Sequence, residues 1–137
     1  MKREIKFRAW NIEKKQMYSS GCVDLLIHFN GQLQGLNESG YVQGTYNMPK
    51  MEIMQFTGLL DKNGKEIFEN DVVKANVDRG SYFNAELVCQ VEYLDGAFQF
   101  LNIHDSTEGY FWMDVLSCKI IGDIYTTPEL LGAAHER

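Results

Sequence analysis

The sequence predicts a mainly β fold: a small barrel with additional N-terminal strands and a short C-terminal helix. Three observations carry that prediction. The dipeptides Asn30-Gly31, Asn63-Gly64 and Asp95-Gly96 each stand between apolar segments, and Asn-Gly and Asp-Gly tolerate the positive φ values that two-residue hairpin turns demand. Residues 4–10, 71–77 and 87–93 alternate apolar and polar side chains, the period of a strand with one covered face. Short strands between tight turns, with almost no helix, are the material of barrels and sandwiches.

The elements follow in order. In residues 4–10, Ile5, Phe7 and Ala9 oppose Lys6, Arg8 and Trp10, a half-buried strand. Residues 11–16 form a polar turn, and Met17-Tyr18 begin the partner strand. Residues 23–29 are apolar, a length that suits a strand or a short helix, and Asn30-Gly31 return the chain through Leu33 and Leu36. Residues 37–49, rich in Gly, Asn, Ser and Tyr, read as the longest loop, the kind of segment where binding and variation concentrate. Residues 51–57 enter the central stretch that holds the Asn63-Gly64 hairpin, flanked by Leu59-Leu60 and Ile67-Phe68. Residues 68–71 make another turn, in which Asn70 can adopt a left-handed conformation.

From Asp71 the strand runs through Val73, Ala75 and Val77; Val72 breaks its polar face, so its start is expected to be covered on both sides. A loop over 78–84 precedes a long strand bearing Leu87, Cys89, Val91 and Tyr93 on one face. Asp95-Gly96 turn it into a strand over 97–101. Residues 102–109 read as a polar loop, and 110–116 as a strand or a single helical turn. Residues 119–125 form the closing strand. Thr127 is then the expected N-cap, with Pro128 at the first helical position and Gly132 as the stop. The order over 71–125 resembles an SH3-like barrel, and the first fifty or so residues are expected to add strands beside it.

With 137 residues the chain has the length of one domain, read as N-terminal strands and a variable loop over 1–50 and a barrel-like core over 51–131. A chain of this size buries roughly two-thirds of its unfolded surface, so it needs no staples. Thirteen basic and nineteen acidic residues leave a net charge of −6, which argues against a surface built throughout for phosphate backbones. The cysteines, Cys22, Cys89 and Cys118, are odd in number and lack C-x-x-C spacing, which fits unpaired thiols in a reducing cytoplasm. No apolar h-region follows the charged start, and no run reaches the length of a membrane span.

The most specific stretch is residues 54–77, MQFTGLLDKNGKEIFENDVVKANV. Within it, TGLLDKNGKEIFENDVVK resembles the signature of the YopX family, small proteins encoded by bacteriophages and prophages, whose pattern reads T-G-L-x-D-K-N-G-K-E-I-[FY]-E-G-D-[IV]-V. The opening, REIKFRAWNIEKKQMY, is similar to the family's start, an R-x-W followed by K-M-Y. The end, IIGDIYTTPELL, is similar to its I-G-[ND]-I-[YH] and P-E-L-L. Three segments in the expected order are far less readily met by coincidence than one short motif. Two positions depart from the pattern: Asn70 stands where Gly is usual, and Asn11 where Asp is frequent. The first is conformationally compatible; the second removes an acidic side chain. The resemblance implies a phage origin and a mostly β fold, and it brings no established catalytic residues.

Four groups of residues are candidates for function. Lys2, Arg3, Lys6, Arg8, Lys14 and Lys15 crowd the first fifteen positions, and Lys6, Arg8 and Trp10 share a strand face on which bases can stack and phosphates be neutralised. A solvated face guarding a sheet edge explains the same charges. Asp61, Glu66, Glu69 and Asp71 surround the central turns, but Gly64 is misplaced for an EF-hand, and turn geometry accounts for Asp61 and Asp71. His104, Asp105 and Glu108 are the one grouping of a histidine with carboxylates; His28 and His135 are isolated. Tyr82, Phe83, Tyr110, Phe111 and Trp112 form an aromatic group suited to a partner or to packing; of these, Tyr82, Phe83, Tyr110 and Trp112 are the expected partner-binding residues.

The recognisable phosphate, zinc and nucleophile motifs are absent, so no enzyme, cofactor or metal is expected. The sequence thus points to a cytoplasmic, non-enzymatic β module that binds a host or phage protein or assembles with itself. The alternative is nucleic-acid binding through Lys6, Arg8 and Trp10.

Overall fold

The computed structural model describes residues 3–19, 25–27, 29–31, 33–35, 51–80 and 83–135, with only the backbone at 25, 26, 33–35 and 133–135. The predicted loop over 37–49 lies outside these residues, as do Cys22, Val23, His28, Leu36 and Tyr82. The fold is mainly β with one short C-terminal helix. Its contacts divide it into two compact units, Lys6–Ile53, and Met1–Ile5 with Met54–Arg137. No helix among the described residues is long and apolar enough to cross a membrane.

In the first unit, β1 (Phe7–Asn11) and β2 (Gln16–Tyr18) form an antiparallel hairpin with Ala9 opposite Tyr18 and Trp10 opposite Met17. Asn11 Oδ1 accepts the N–H groups of Glu13 and Lys14, each at 3.0 Å, so the side chain does the work of a backbone turn. The strand begins later than alternation predicts, for Ile5 is 59% exposed. Its alternation also breaks at Ala9 and Trp10, which are both buried. Within the apolar run over 23–29, the described residues 25–27 form strand β3 (Leu25–Ile27), which pairs with β4 (Leu33–Gly35). Ile27 pairs with Leu33, so Asn30-Gly31 sit within a longer connection than the predicted two-residue turn. β5 (Met51–Leu60) stands beside β1 in the sheet, and Met51 and Ile53 pack with Ala9 and Tyr18.

In the second unit, the remainder of β5 pairs with β6 (Glu66–Phe68), with a register shift between Phe56 and Leu60 where Gly58 has φ +85. This is a bulge at a position that needs glycine. The connection between them is the predicted hairpin, but its loop differs from the predicted two-residue turn at Asn63-Gly64. Asp61 N–H donates to the Lys65 carbonyl at 2.8 Å and Gly64 N–H to the Asp61 carbonyl at 3.0 Å. Gly64 has a positive φ and Asn63 does not, so the loop is longer than a two-residue turn. The cause is Asp61, whose Oδ1 accepts the N–H groups of Asn63 and Lys65 at 2.9 Å each and starts the turn early.

Five antiparallel strands complete this unit: β7 (Asp71–Asp78), β8 (Asn84–Leu94), β9 (Ala97–Asn102), β10 (Gly109–Tyr110) and β11 (Val115–Asp123), in the order β10-β9-β8-β7-β11. Asn70 enters β7 with φ 68, as its left-handed tolerance predicted. Asp95 and Gly96 both have positive φ and join Leu94 to its partner Ala97 as a two-residue hairpin. A 3-10 turn over Trp112–Asp114 follows β10, so the run over 110–116 is both strand and helical turn. β11 starts earlier than the predicted Lys119 and pairs back to β7, with Val115 opposite Val77 and Asp123 opposite Asp71.

The inward residues Ile67, Val73, Ala75, Val77, Cys89, Val91, Phe100 and Cys118 form the core. Removing their apolar surface from water is what holds the sheet curled over them. Val72 and Val73 are both fully buried, as the broken polar face predicted.

The helix α1 (Glu129–His135) departs from expectation at both ends. The Thr127 hydroxyl turns back to Asp123, accepting from its N–H and donating to its carbonyl at 2.9 Å each, and so does not cap α1. Gly132 lies within α1 and does not stop it, for it has no positive φ.

Candidate functional site

Several exposed apolar side chains of the second unit stand on segments around a hydrogen-bonded polar cluster that links the loop before β8 to β10. Arg79 N–H donates to the Phe83 carbonyl at 2.8 Å, closing the loop that carries Phe83. The Arg79 guanidinium donates to Tyr110 Oη at 3.2 Å and to Glu108 Oε1 at 2.5 Å. Tyr110 donates to the same carboxylate oxygen, and Asn102 Nδ2 donates to Glu108 Oε2 at 2.8 Å. Residues 79–83 are thereby tied to 102–110. Phe111 and the 3-10 turn follow directly, and Val115 lies opposite Val77 at the start of β11.

Phe83 is 71% exposed, Phe111 50%, Met113 84% and Leu116 53%. Trp112 is 38% exposed, with its ring centroid 5.8 Å from that of the buried Phe100. Phe100 thus anchors one ring while its neighbours point outward. Large apolar side chains gathered at the surface cost solvation, and such patches mark sites of contact.

Of the predicted partner-binding residues, Phe83 and Trp112 fall in this group. Tyr110 instead is half-buried in the polar cluster, and Tyr82 lies outside the described residues. Met113 and Leu116 were not expected. Leu116 sits at a register shift between Val115 and Ser117, and a bulge that turns a side chain outward leaves no mark in apolar periodicity.

The polar cluster explains the predicted His104 group. Hydrogen bonds from Tyr110 and Asn102 outweigh burial, and with Arg79 they hold the Glu108 carboxyl below its ordinary pKa. Asp105 is also lowered, by hydrogen bonds from the Thr107 hydroxyl and N–H. His104 is exposed, and its N–H donates to Asn102 Oδ1 at 3.0 Å. The carboxylates here are thus engaged in fixing the 102–110 loop. Around the central turns the use is the same: Asp71 Oδ2 accepts Phe68 N–H at 2.8 Å, and Glu69 Oε1 accepts Gln55 N–H at 2.8 Å. Among the described residues, no group of three His, Cys, Asp or Glu side chains could hold a metal ion. Cys89 and Cys118 are buried thiols whose pKa values burial raises to about 12 and about 11.

In the N-terminal strand, Lys6 and Arg8 are half-buried and Trp10 is 8% exposed. An indole so covered offers little face for stacking a base.

Against known proteins, the family model described as "YopX protein" matches residues 6–132. The chain belongs to the YopX family. Over 132 residues it is 25% identical to the SPbeta prophage-derived uncharacterized protein YopX of Bacillus subtilis (strain 168), covering 91% of this chain and 94% of that protein. The crystal structure of the Bacillus subtilis YopX protein matches with a TM-score of 0.59 and 26% identity, over 92% of this chain and 97% of that one. The crystal structure of protein EF1440 from Enterococcus faecalis shares the fold, with a TM-score of 0.59 and 24% identity over 95% and 99% of the two chains. The YopX-family signature over 57–74 corresponds to the β5–β6 connection and the start of β7. Its residues Asp61 and Asp71 are buried and hydrogen-bonded to backbone, so part of that motif is architecture.

Proposed function

We propose that this YopX-family protein is a phage- or prophage-encoded accessory protein. In this reading it is a non-enzymatic β module that acts in the bacterial cytoplasm by contacting a partner protein. The observation that carries it is the exposure of Phe83, Phe111, Trp112, Met113 and Leu116, on the segments next to the Arg79–Glu108–Tyr110 hydrogen bonds and at the start of β11. Aromatic and Met side chains of this kind are the usual anchors of protein interfaces. The SH3-like reading of residues 71–125 is supported by the order β10-β9-β8-β7-β11, with a 3-10 turn before the closing strand.

The test is a crosslinking capture from host cells carrying the phage, comparing wild type with a Phe111→Ser plus Met113→Asp variant. Both positions are exposed, so melting should be unchanged while a discrete captured protein disappears. Identical capture by the folded variant, or turnover of a substrate abolished by His104→Ala, refutes this function.

A further inference from the structure

Four lysines gather around β11, one of them on the paired strand β7, in a chain of net charge −6. The turn over 61–65 docks there through backbone groups. Lys62 N–H donates to the Cys118 carbonyl at 2.9 Å, and Ile120 N–H donates to Asp61 Oδ2 at 3.0 Å. Lys119 lies between these two anchor points. Lys74 stands directly opposite Lys119 in the ladder. Lys65, whose N–H is held by Asp61 Oδ1 at 2.9 Å, completes the group. All four residues are exposed. Ala75 and Cys118 point into the core, so alternation turns Lys74 and Lys119 out on one common face.

Left alone, the arrangement is unfavourable, because like charges opposite one another on paired strands repel. Glu86 lies 3.6 Å from Lys74, with the two side chains 67% and 53% exposed. Such an exposed pair contributes little and is screened by salt. Asp61 is buried and committed to three backbone N–H groups. Among the described residues, Lys62 and Lys119 have no ion-pair partner, and Lys65 is close enough to the Asp61 carboxylate to lower its pKa by charge. The hydrogen-bonded backbone fixes the points from which the lysine side chains leave the surface, while their stems stay free to move.

We propose that this lysine cluster binds the phosphate backbone of a nucleic acid. Ammonium groups on flexible stems act as point charges, suited to successive phosphates and undemanding of geometry. The cluster contains no aromatic side chain, so it positions a strand without reading bases. It involves neither the apolar group of the proposed function nor the Lys6, Arg8 and Trp10 face.

The experiment is fluorescence anisotropy with labelled duplex DNA, single-stranded DNA and RNA. If three phosphates are neutralised, affinity falls on the order of 40-fold between about 50 and about 200 mM salt. Lys74→Gln with Lys119→Gln should weaken binding about tenfold or more at low salt and flatten the salt slope by about two, with melting unchanged. Three results overturn the proposal: no binding to any of the three probes at low salt; binding equal in the double variant; or loss with Lys6→Glu plus Arg8→Glu but not with the lysine changes. Where the first of these results comes with binding of polyglutamate, the surface belongs to an acidic protein.

Discussion

The Asp61 carboxylate accepts the backbone N–H of Ile120 at 3.0 Å, a contact between residues 59 positions apart. The same side chain holds the N–H groups of Asn63 and Lys65. One buried carboxylate therefore shapes a local turn and also fastens it to the closing strand.

Replacing Asp61 with Ala leaves three backbone N–H groups without their charged acceptor. Hydrogen bonds to a charged group contribute roughly 1.5–3 kcal/mol each and are not additive. We expect Asp61→Ala to lose roughly 3–4 kcal/mol in urea unfolding, and Asp61→Asn, which keeps acceptor capacity, to lose less. A loss below about 1 kcal/mol for Asp61→Ala would contradict the tie between turn and strand.

Acid should destabilise the protein through the same groups. At Asp61, burial raises the carboxyl pKa, but the N–H groups of Ile120, Lys65 and Asn63 together outweigh it, so the net shift is downward. Glu108 is lowered as well, chiefly by Tyr110. A carboxyl with a depressed folded pKa contributes stability that is present above its unfolded value and lost as pH falls through the folded one. Unfolding free energy should therefore decline below about pH 4, and Asp61→Asn should flatten that decline.

Asn70 holds φ 68. A β-branched residue is strained there, so Asn70→Val should cost roughly 1–2 kcal/mol or more. Asn70→Gly should be within about 0.5 kcal/mol of wild type, since glycine adopts this φ freely and the Asn70 side-chain bonds to Tyr125 and Gln90 are long, at 3.5 and 3.4 Å. Equal melting temperatures for all three proteins would remove backbone strain as the explanation.

Cys89 and Cys118 are buried with raised thiol pKa values, so little thiolate forms near neutral pH. Site-resolved mass spectrometry after brief alkylation at pH 8 should find both unmodified in the native protein and both labelled in denaturant. Native labelling of Cys89 would contradict the packing of the core.

At Gly122, an added Cβ would lie 2.0 Å from Thr127 Oγ1, the hydroxyl bonded to Asp123. Gly122→Ala should therefore destabilise by more than about 1 kcal/mol in thermal melts. The smaller change Thr127→Ala in the Gly122→Ala background should recover part of that loss.

What the sequence determined by itself is local. Period-two alternation marks β7 and β8, Asp95-Gly96 places the hairpin from β8 to β9, and Asn70 announces a left-handed residue, because each depends on a backbone preference carried by one or two side chains. The family signature also belongs there, since a motif is read directly from consecutive residues. What only the tertiary structure decided is which of several adequate local options prevails. Asp61 turned an expected Asn63-Gly64 hairpin into a longer loop because its carboxylate found Ile120 far along the chain. Thr127 gave up capping α1 for Asp123, Trp10 went inward against its alternation, and Leu116 went outward at a bulge. The lysine cluster is of the same kind: Lys74 and Lys119 become neighbours only once β11 pairs with β7. A charge pattern assembled from distant strands has no trace in sequence spacing, because strand pairing, not chain order, sets the distance between its members.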